Sequence, residues 1–151
     1  MIRRKVTKGM LNENPYEKWN QFIDLLAMEE YSDLTQTQKV AQLCFLYDSE
    51  VQNGGHLQYF LNRGTKFVRE SITALQSIGA NSQAKILTKA FNIFNTMELK
   101  RIDDVHEYIE LEEEGKFLQL DLEYYQIEPT MDGLLEQYLE KYEMDFILVE
   151  Y

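Results

Sequence analysis

The sequence predicts an all-α fold, a bundle of about seven to eight helices in one domain, and three observations lead there. Apolar residues recur at spacings of three and four from near residue 15 to near residue 142. Capping strings open several of these stretches, and glycines close them. The length of 151 residues suits one hydrophobic core, and no Pro/Ser-rich linker, fixed-period repeat or low-complexity tract divides the chain.

The elements follow in order. Residues 1–13, which include Arg3, Arg4, Lys5 and Lys8, read as a loosely ordered basic arm. Asn14-Pro15-Tyr16-Glu17 places an N-cap, a proline at the first helical position and a glutamate three residues after the cap. That string predicts a helix to about Met28 with Trp19, Phe22, Ile23 and Leu26 on its buried face. Thr35-Gln36-Thr37-Gln38 is a second capping box, and the helix it opens carries Val40, Leu43, Cys44, Tyr47 and Val51 before Asn53-Gly54-Gly55 stops it. A short helix over His56 to Asn62 is expected next, ending at Arg63-Gly64. Another should run from Thr65 to Ile78 and stop at Gly79. Asn81 can cap the following helix, whose Ala84 and Ala90 permit close packing beside Ile86, Leu87, Phe91 and Phe94. Beyond Glu98 the stripes are Ile102, Val105 and Ile109, then Leu118, Leu122 and Tyr125, with Gly115 expected to separate two helices. Pro129-Thr130 starts a last helix bearing Leu134, Leu135, Tyr138 and Tyr142, and Phe146 to Val149 reads as a short strand or a docked extended segment.

Composition narrows the function. The single Cys44 sits among apolar neighbours with no second cysteine to pair with, which fits a reducing, cytoplasmic setting. No stretch approaches signal-peptide or membrane-spanning hydrophobicity, so no membrane role is expected. The formal net charge of -11 disfavours direct binding of nucleic acid or an anionic membrane, because phosphate would be repelled at long range. Residues 1–97 hold 11 Lys/Arg against 9 Asp/Glu, whereas residues 98–151 hold 4 against 17, so the excess lies wholly in the last third. A basic protein partner is the natural counterpart.

The sharpest part of that excess is Asp103, Asp104, Glu107, Glu110, Glu112, Glu113 and Glu114. On a helix, positions 103, 107, 110 and 114 form one stripe with neighbours about 5 to 6 Å apart along the axis. Such a row is comparable in spacing with the phosphates of one DNA strand, and it costs a helix a few tenths of a kcal/mol per like-charged pair. A second acidic series runs through Asp121, Glu123, Glu128, Asp132, Glu136, Glu140, Glu143 and Asp145. The plain alternative is a solvated face that aids solubility.

Chemistry-bearing constellations are few. His56 and His106 lie in different helices without a Glu-x-x-His or His-Glu-x-x-His string, so no metal site or cofactor is expected. Cys44 lies on an apolar helix face, where thiols are usually inert. No serine sits in a nucleophile-elbow string and nothing singles out two carboxylates as acid and base, so no catalytic residues are assigned and the protein is expected not to be an enzyme. The most distinctive string is the corner Asn53-Gly54-Gly55-His56-Leu57-Gln58-Tyr59-Phe60, with Gln58 and Tyr59 expected near freed helix-end carbonyls. It reads first as a structural turn and second as a recognition spot of exposed Asn, His and Gln side chains. A phosphate-binding loop does not fit, since the glycines close a helix and no Lys-Ser/Thr follows.

With that corner, Ala74-Leu75-x-x-Ile78-Gly79-Ala80, the Ala84-x-x-Leu87 helix and the downstream Asp121-x-x-Tyr124-Tyr125, the chain over roughly residues 15–145 resembles the bacterial DNA-mimic protein family, also catalogued as a domain of unknown function. The resemblance implies an all-helical fold and a homodimer. It also implies that carboxylates imitate DNA phosphates and occupy the DNA-binding surface of a transcription regulator or nuclease. The family motif is the corner, Asn53, Gly54, Gly55, Gln58, Tyr59 and Phe60, and not the carboxylates. His56 stands where a Phe-like residue is usual, which is expected to make the corner more polar. The alternative is an immunity or scaffold-type interaction module that uses the Asn53–Asn62 corner or an apolar surface patch without DNA mimicry.

Overall fold

A computed structural model describes the backbone of residues 1–97 and 106–151, and the side chains of residues 1–97 and 115–151. Among the described residues the order is β1 (Arg4–Thr7), α1 (Lys8–Glu13), α2 (Glu17–Met28), a 3-10 turn (Tyr31–Asp33), α3 (Gln36–Arg63), α4 (Val68–Ser77), α5 (Asn81–Thr96), α6 (His106–Tyr125), α7 (Met131–Lys141), a second 3-10 turn (Glu143–Asp145) and β2 (Ile147–Glu150). The all-α expectation holds, with a two-stranded ribbon added. No helix among the described residues is long and apolar enough to cross a membrane.

Helix α3 is the axis of the bundle and packs against α2, α4, α5, α6 and α7. Its capping box forms as the sequence predicts: Thr35 Oγ1 accepts from the Gln38 backbone N–H, and the Gln38 side chain accepts from that of Thr35. Its inward residues Ala41, Cys44, Tyr47, Val51, Leu57 and Phe60 are all buried. Phe60 stacks on Phe94 of α5 with ring centroids 4.6 Å apart and lies 5.9 Å from Phe117 of α6, so one ring ties three helices together. Each such side chain contributes roughly 1.5–3 kcal/mol through burial.

The ends of the chain depart from expectation. Residues 4–13, expected as a loose basic arm, form β1 and α1. Strand β1 pairs in parallel with β2, from Arg4 opposite Ile147 to Thr7 opposite Glu150, and Val6 is fully buried. Arg4 reaches Asp24 at 3.0 Å and Glu29 at 2.8 Å, so part of the basic charge is committed to α2 and its end. Gln38, also buried, donates through Nε2 to the carbonyls of Ile2 (2.6 Å) and Asp145 (2.8 Å), joining both termini to α3.

Helix boundaries shift for identifiable reasons. Asn14 caps a turn instead of α2: its Oδ1 accepts from Tyr16 N–H at 2.9 Å, and the helix begins at Glu17. Asn81 is the first helical residue of α5, with Ala80 at the cap position. The helix expected to stop at Asn53 and the short helix after it are the two arms of α3, kinked at Gly54 and Gly55. Gly115 does not separate two helices. Helix α6 runs through it from His106 to Tyr125, because one glycine costs a helix only about 1 kcal/mol, which packing of the second half offsets.

Candidate functional site: the glycine corner and the helix it holds

Only one of the two glycines at the α3 kink needs to be glycine for its backbone angle. Gly54 is at φ -156°, which any residue adopts, whereas Gly55 is at φ 80°, in the left-handed region. Space restricts both positions. A Cβ at Gly54 would run into the Gln58 side chain, and one at Gly55 would run into the Asp121 carboxylate. The bare backbone therefore lets a carboxylate from α6 come up against the corner of α3.

Asp121 uses that approach. Its Oδ1 accepts from the His56 backbone N–H at 2.9 Å and lies 2.6 Å from His56 Nδ1. With Asp121 as a carboxylate, Nδ1 carries the proton, and Nε2 then accepts from the Tyr47 hydroxyl at 2.7 Å. Burial pushes the Tyr47 hydroxyl well above its ordinary value, aided by the nearby Tyr59, Asp48 and Asp121, so it stays a donor. His56 has no exposure at all, which corrects the expectation of an exposed histidine in a recognition spot. Asp121, expected as part of the acidic surface series, is buried too and is an internal link.

Two further side chains of the same motif tie α6 to the first arm of α3. The Tyr124 hydroxyl donates to Asp48 Oδ1 at 2.7 Å, and the Tyr125 hydroxyl donates to the Val51 carbonyl at 2.9 Å. The kink itself is braced by Glu50, which accepts from Gln58 Nε2 at 3.2 Å and Asn62 Nδ2 at 2.8 Å, with Arg63 Nε at 3.5 Å. Gln58 thus serves a carboxylate and not the freed carbonyls expected for it. Asn53 touches the same group through a 3.4 Å contact with Gln58 Oε1. Tyr59 and Phe60 point into the core, Tyr59 edge-on to Tyr47 at 5.0 Å.

Helix α6 consequently has a fixed inner side of Phe117, Leu120, Asp121 and Tyr124, all buried. On its outer side Leu118, Leu122 and Tyr125 are 56%, 48% and 47% exposed, and with Gly54, Gly55 and Gly115 they line a shallow groove of about 370 Å³. Five of the seven acidic residues expected to meet a partner stand upstream on the same helix. Glu107, Glu110, Glu112, Glu113 and Glu114 fall within α6, but their side chains, like that of His106, lie outside the described residues. Asp103 and Asp104 lie outside them altogether. Among the described residues no cluster of three or more His, Cys, Asp or Glu is placed to hold a metal ion. Burial, reinforced by Asp48, holds the Cys44 thiol far above its ordinary value, the condition of an unreactive cysteine.

The Tyr47–His56–Asp121 chain escaped the sequence reading because its members are 9 and 65 residues apart. A signal was present in the pairing of the Asn-Gly-Gly corner with Asp121-x-x-Tyr124-Tyr125, two motifs that the structure brings into one contact.

A protein-family model described as DMP19-like protein matches residues 32–142. The chain belongs to that family. The DMP19-like unit opens in the first 3-10 turn and closes one residue after α7, so it contains the corner, α6 and every tie between them, while β1, α1, α2 and β2 flank it. No curated protein and no solved structure matches the chain.

Proposed function

We propose that this protein is an acidic DNA mimic that binds the basic DNA-binding surface of a transcription regulator or nuclease and blocks its access to DNA. One observation carries this reading: a member of the DMP19-like family holds 17 Asp/Glu against 4 Lys/Arg in residues 98–151, beside a nearly neutral remainder. Asp103, Asp104, Glu107, Glu110, Glu112, Glu113 and Glu114 are the carboxylates assigned to the partner. The corner serves them indirectly, since His56, Asp48 and Val51 hold the second half of α6, which directs its first half. The protein acts by binding and not by catalysis, needs no cofactor, works in the cytoplasm and forms a homodimer. Light scattering tests the last point against the 17.9 kDa chain mass.

Attraction between an acidic face and a basic groove weakens steeply with salt. Reversing Asp103, Glu107, Glu110 and Glu114 together to lysine should abolish binding to the partner captured from native extract and flatten its salt dependence. DNA should elute that partner from the unaltered protein. Unchanged affinity and unchanged salt slope in the variant would end the mimicry reading.

One observation favours a second reading, an immunity or scaffold-type module: the exposed Leu118, Leu122 and Tyr125 beside the glycine corner. On that reading Leu118→Ser with Leu122→Ser removes partner binding while charge reversal upstream does not.

A further inference from the structure

The groove beside the glycine corner contains a charged group that the anchoring of α6 only half uses. Asp121 lines it together with Gly54, Gly55, Leu118, Leu122 and Tyr125, and 12% of the Asp121 side chain is exposed. Oδ1 is committed twice, to the His56 backbone N–H and to His56 Nδ1. Oδ2 has no hydrogen-bond partner among the described residues. It is not sealed from solvent either, since the one unpartnered side-chain oxygen or nitrogen sealed in that way among them is Gln42 Oε1. Oδ2 is also the atom nearest to where a Gly55 Cβ would stand, so the missing side chain of Gly55 leaves it at the groove wall.

Charge and shape together select the ligand. No Lys or Arg among the described residues pairs with Asp121, and the imidazole that does is neutral, because His56 Nε2 accepts from Tyr47 while Nδ1 donates to Oδ1. The negative charge of the carboxylate is therefore unmatched, and its open oxygen favours a cationic donor, whose hydrogen bond to it is about twice as strong as a neutral one. The walls choose among cations. Leu118 and Leu122 give apolar surface, and the Tyr125 ring is held beside them by its hydroxyl on the Val51 carbonyl. A guanidinium is planar, weakly hydrated and stacks on aromatic faces, whereas an ammonium gives up its water reluctantly. The volume of about 370 Å³ is near the lower end of ligand sites, roughly 300–1,000 Å³, which suits a single side chain.

We propose that this groove takes an arginine side chain of the partner protein, with the guanidinium donating to Asp121 Oδ2 and the stem lying against Leu118 and Leu122 beside the Tyr125 ring. The inference rests on the reading that the partner is a basic protein, and it adds to the acidic field one shaped contact at the glycine corner. It uses none of the seven carboxylates assigned to DNA mimicry.

The test is an NMR titration of the full chain with Nα-acetyl-arginine N-methylamide, against its lysine counterpart and its citrulline counterpart, which has nearly the same shape without the charge. The arginine amide should shift the Gly54 and Gly55 amide resonances saturably and bind at least about fivefold more tightly than the lysine amide, and the citrulline amide should not saturate. Gly115→Phe fills the groove from an exposed helical position where a Cβ meets nothing within 4 Å, so the fold should stand while arginine binding falls at least about tenfold. Asp121→Asn keeps an oxygen for His56, removes the charge and should give the same loss; if it unfolds, Gly115→Phe decides. Lysine or citrulline amides that match arginine, shifts that bypass both glycines, or undiminished binding in folded Gly115→Phe would overturn the proposal. The partner captured from native extract completes the test. Partner binding lost in Gly115→Phe but kept after charge reversal of Asp103, Glu107, Glu110 and Glu114 would end the mimicry reading alone, and the opposite pattern would end this inference alone.

Discussion

Gly55 at the corner and Asp48 on the first arm of α3 show how single residues set the contact between α3 and α6. At Gly55 a left-handed φ of 80° coincides with the approach of Asp121. Gly55→Ala should therefore destabilise the fold by at least about 2 kcal/mol, combining the left-handed penalty with displacement of the carboxylate. Urea denaturation measures it, and a loss below about 0.5 kcal/mol would contradict the assignment of that glycine. Asp48 is held above the usual carboxylate range, chiefly by burial and secondarily by Asp132, against hydrogen bonds from Tyr124 and Gln52. A carboxyl raised in the folded state contributes stability that is complete below its unfolded pKa of about 3.9, and the contribution is lost as pH rises through the folded value. Asp48→Asn keeps an oxygen for the Tyr124 hydroxyl and does not ionise. Its urea midpoint should gain on that of the unaltered protein between pH 4 and pH 7, and a gap that stays constant or narrows would show that burial does not raise the Asp48 carboxyl.

Among elements, α6 has the most divided character. One side of its second half is locked to α3 through Phe117, Asp121 and Tyr124, while Leu118 and Leu122 face outward. The two sides should respond differently to truncation. Phe117→Ala, at a fully buried position between His56 and Phe60, should cost about 3–5 kcal/mol. Leu122→Ala should stay within about 0.5 kcal/mol, because nearly half of that side chain is already in water. Equal losses at the two positions, measured by chemical denaturation, would mean that α6 is seated differently. Glu107, Glu110, Glu112, Glu113 and Glu114 share this helix with the motif residues that anchor it.

At the scale of the whole molecule, the two termini meet on α3. Removing residues 1–7 would delete β1, expose the place of Val6, and free Gln38 from Ile2. Losing about 2 kcal/mol or more should lower the melting temperature by at least about 5 °C in a domain of this length. A truncated protein that melts with the full chain would show the ribbon to be ornamental. Charge follows a different division, with the excess confined to residues 98–151. Stability therefore draws on both ends of the chain, while the field a partner would feel comes from one.

Local chemistry made much of this legible in the chain alone. The capping box at Thr35, the stops at Gly64 and Gly79, the apolar periodicity of α2 to α5 and α7, and the uneven charge all depend on residues within a few positions of one another. Such interactions are encoded by spacing. Tertiary structure alone decided the rest. It turned residues 4–7 of the expected arm into a strand of the ribbon, because β1 has no ladder until β2, more than 130 residues later, lies beside it. It also took His56 and Asp121 from an expected polar surface into the interior, where each satisfies the other. A polar side chain is compatible with either environment, and only the partner that folding delivers determines which one costs less.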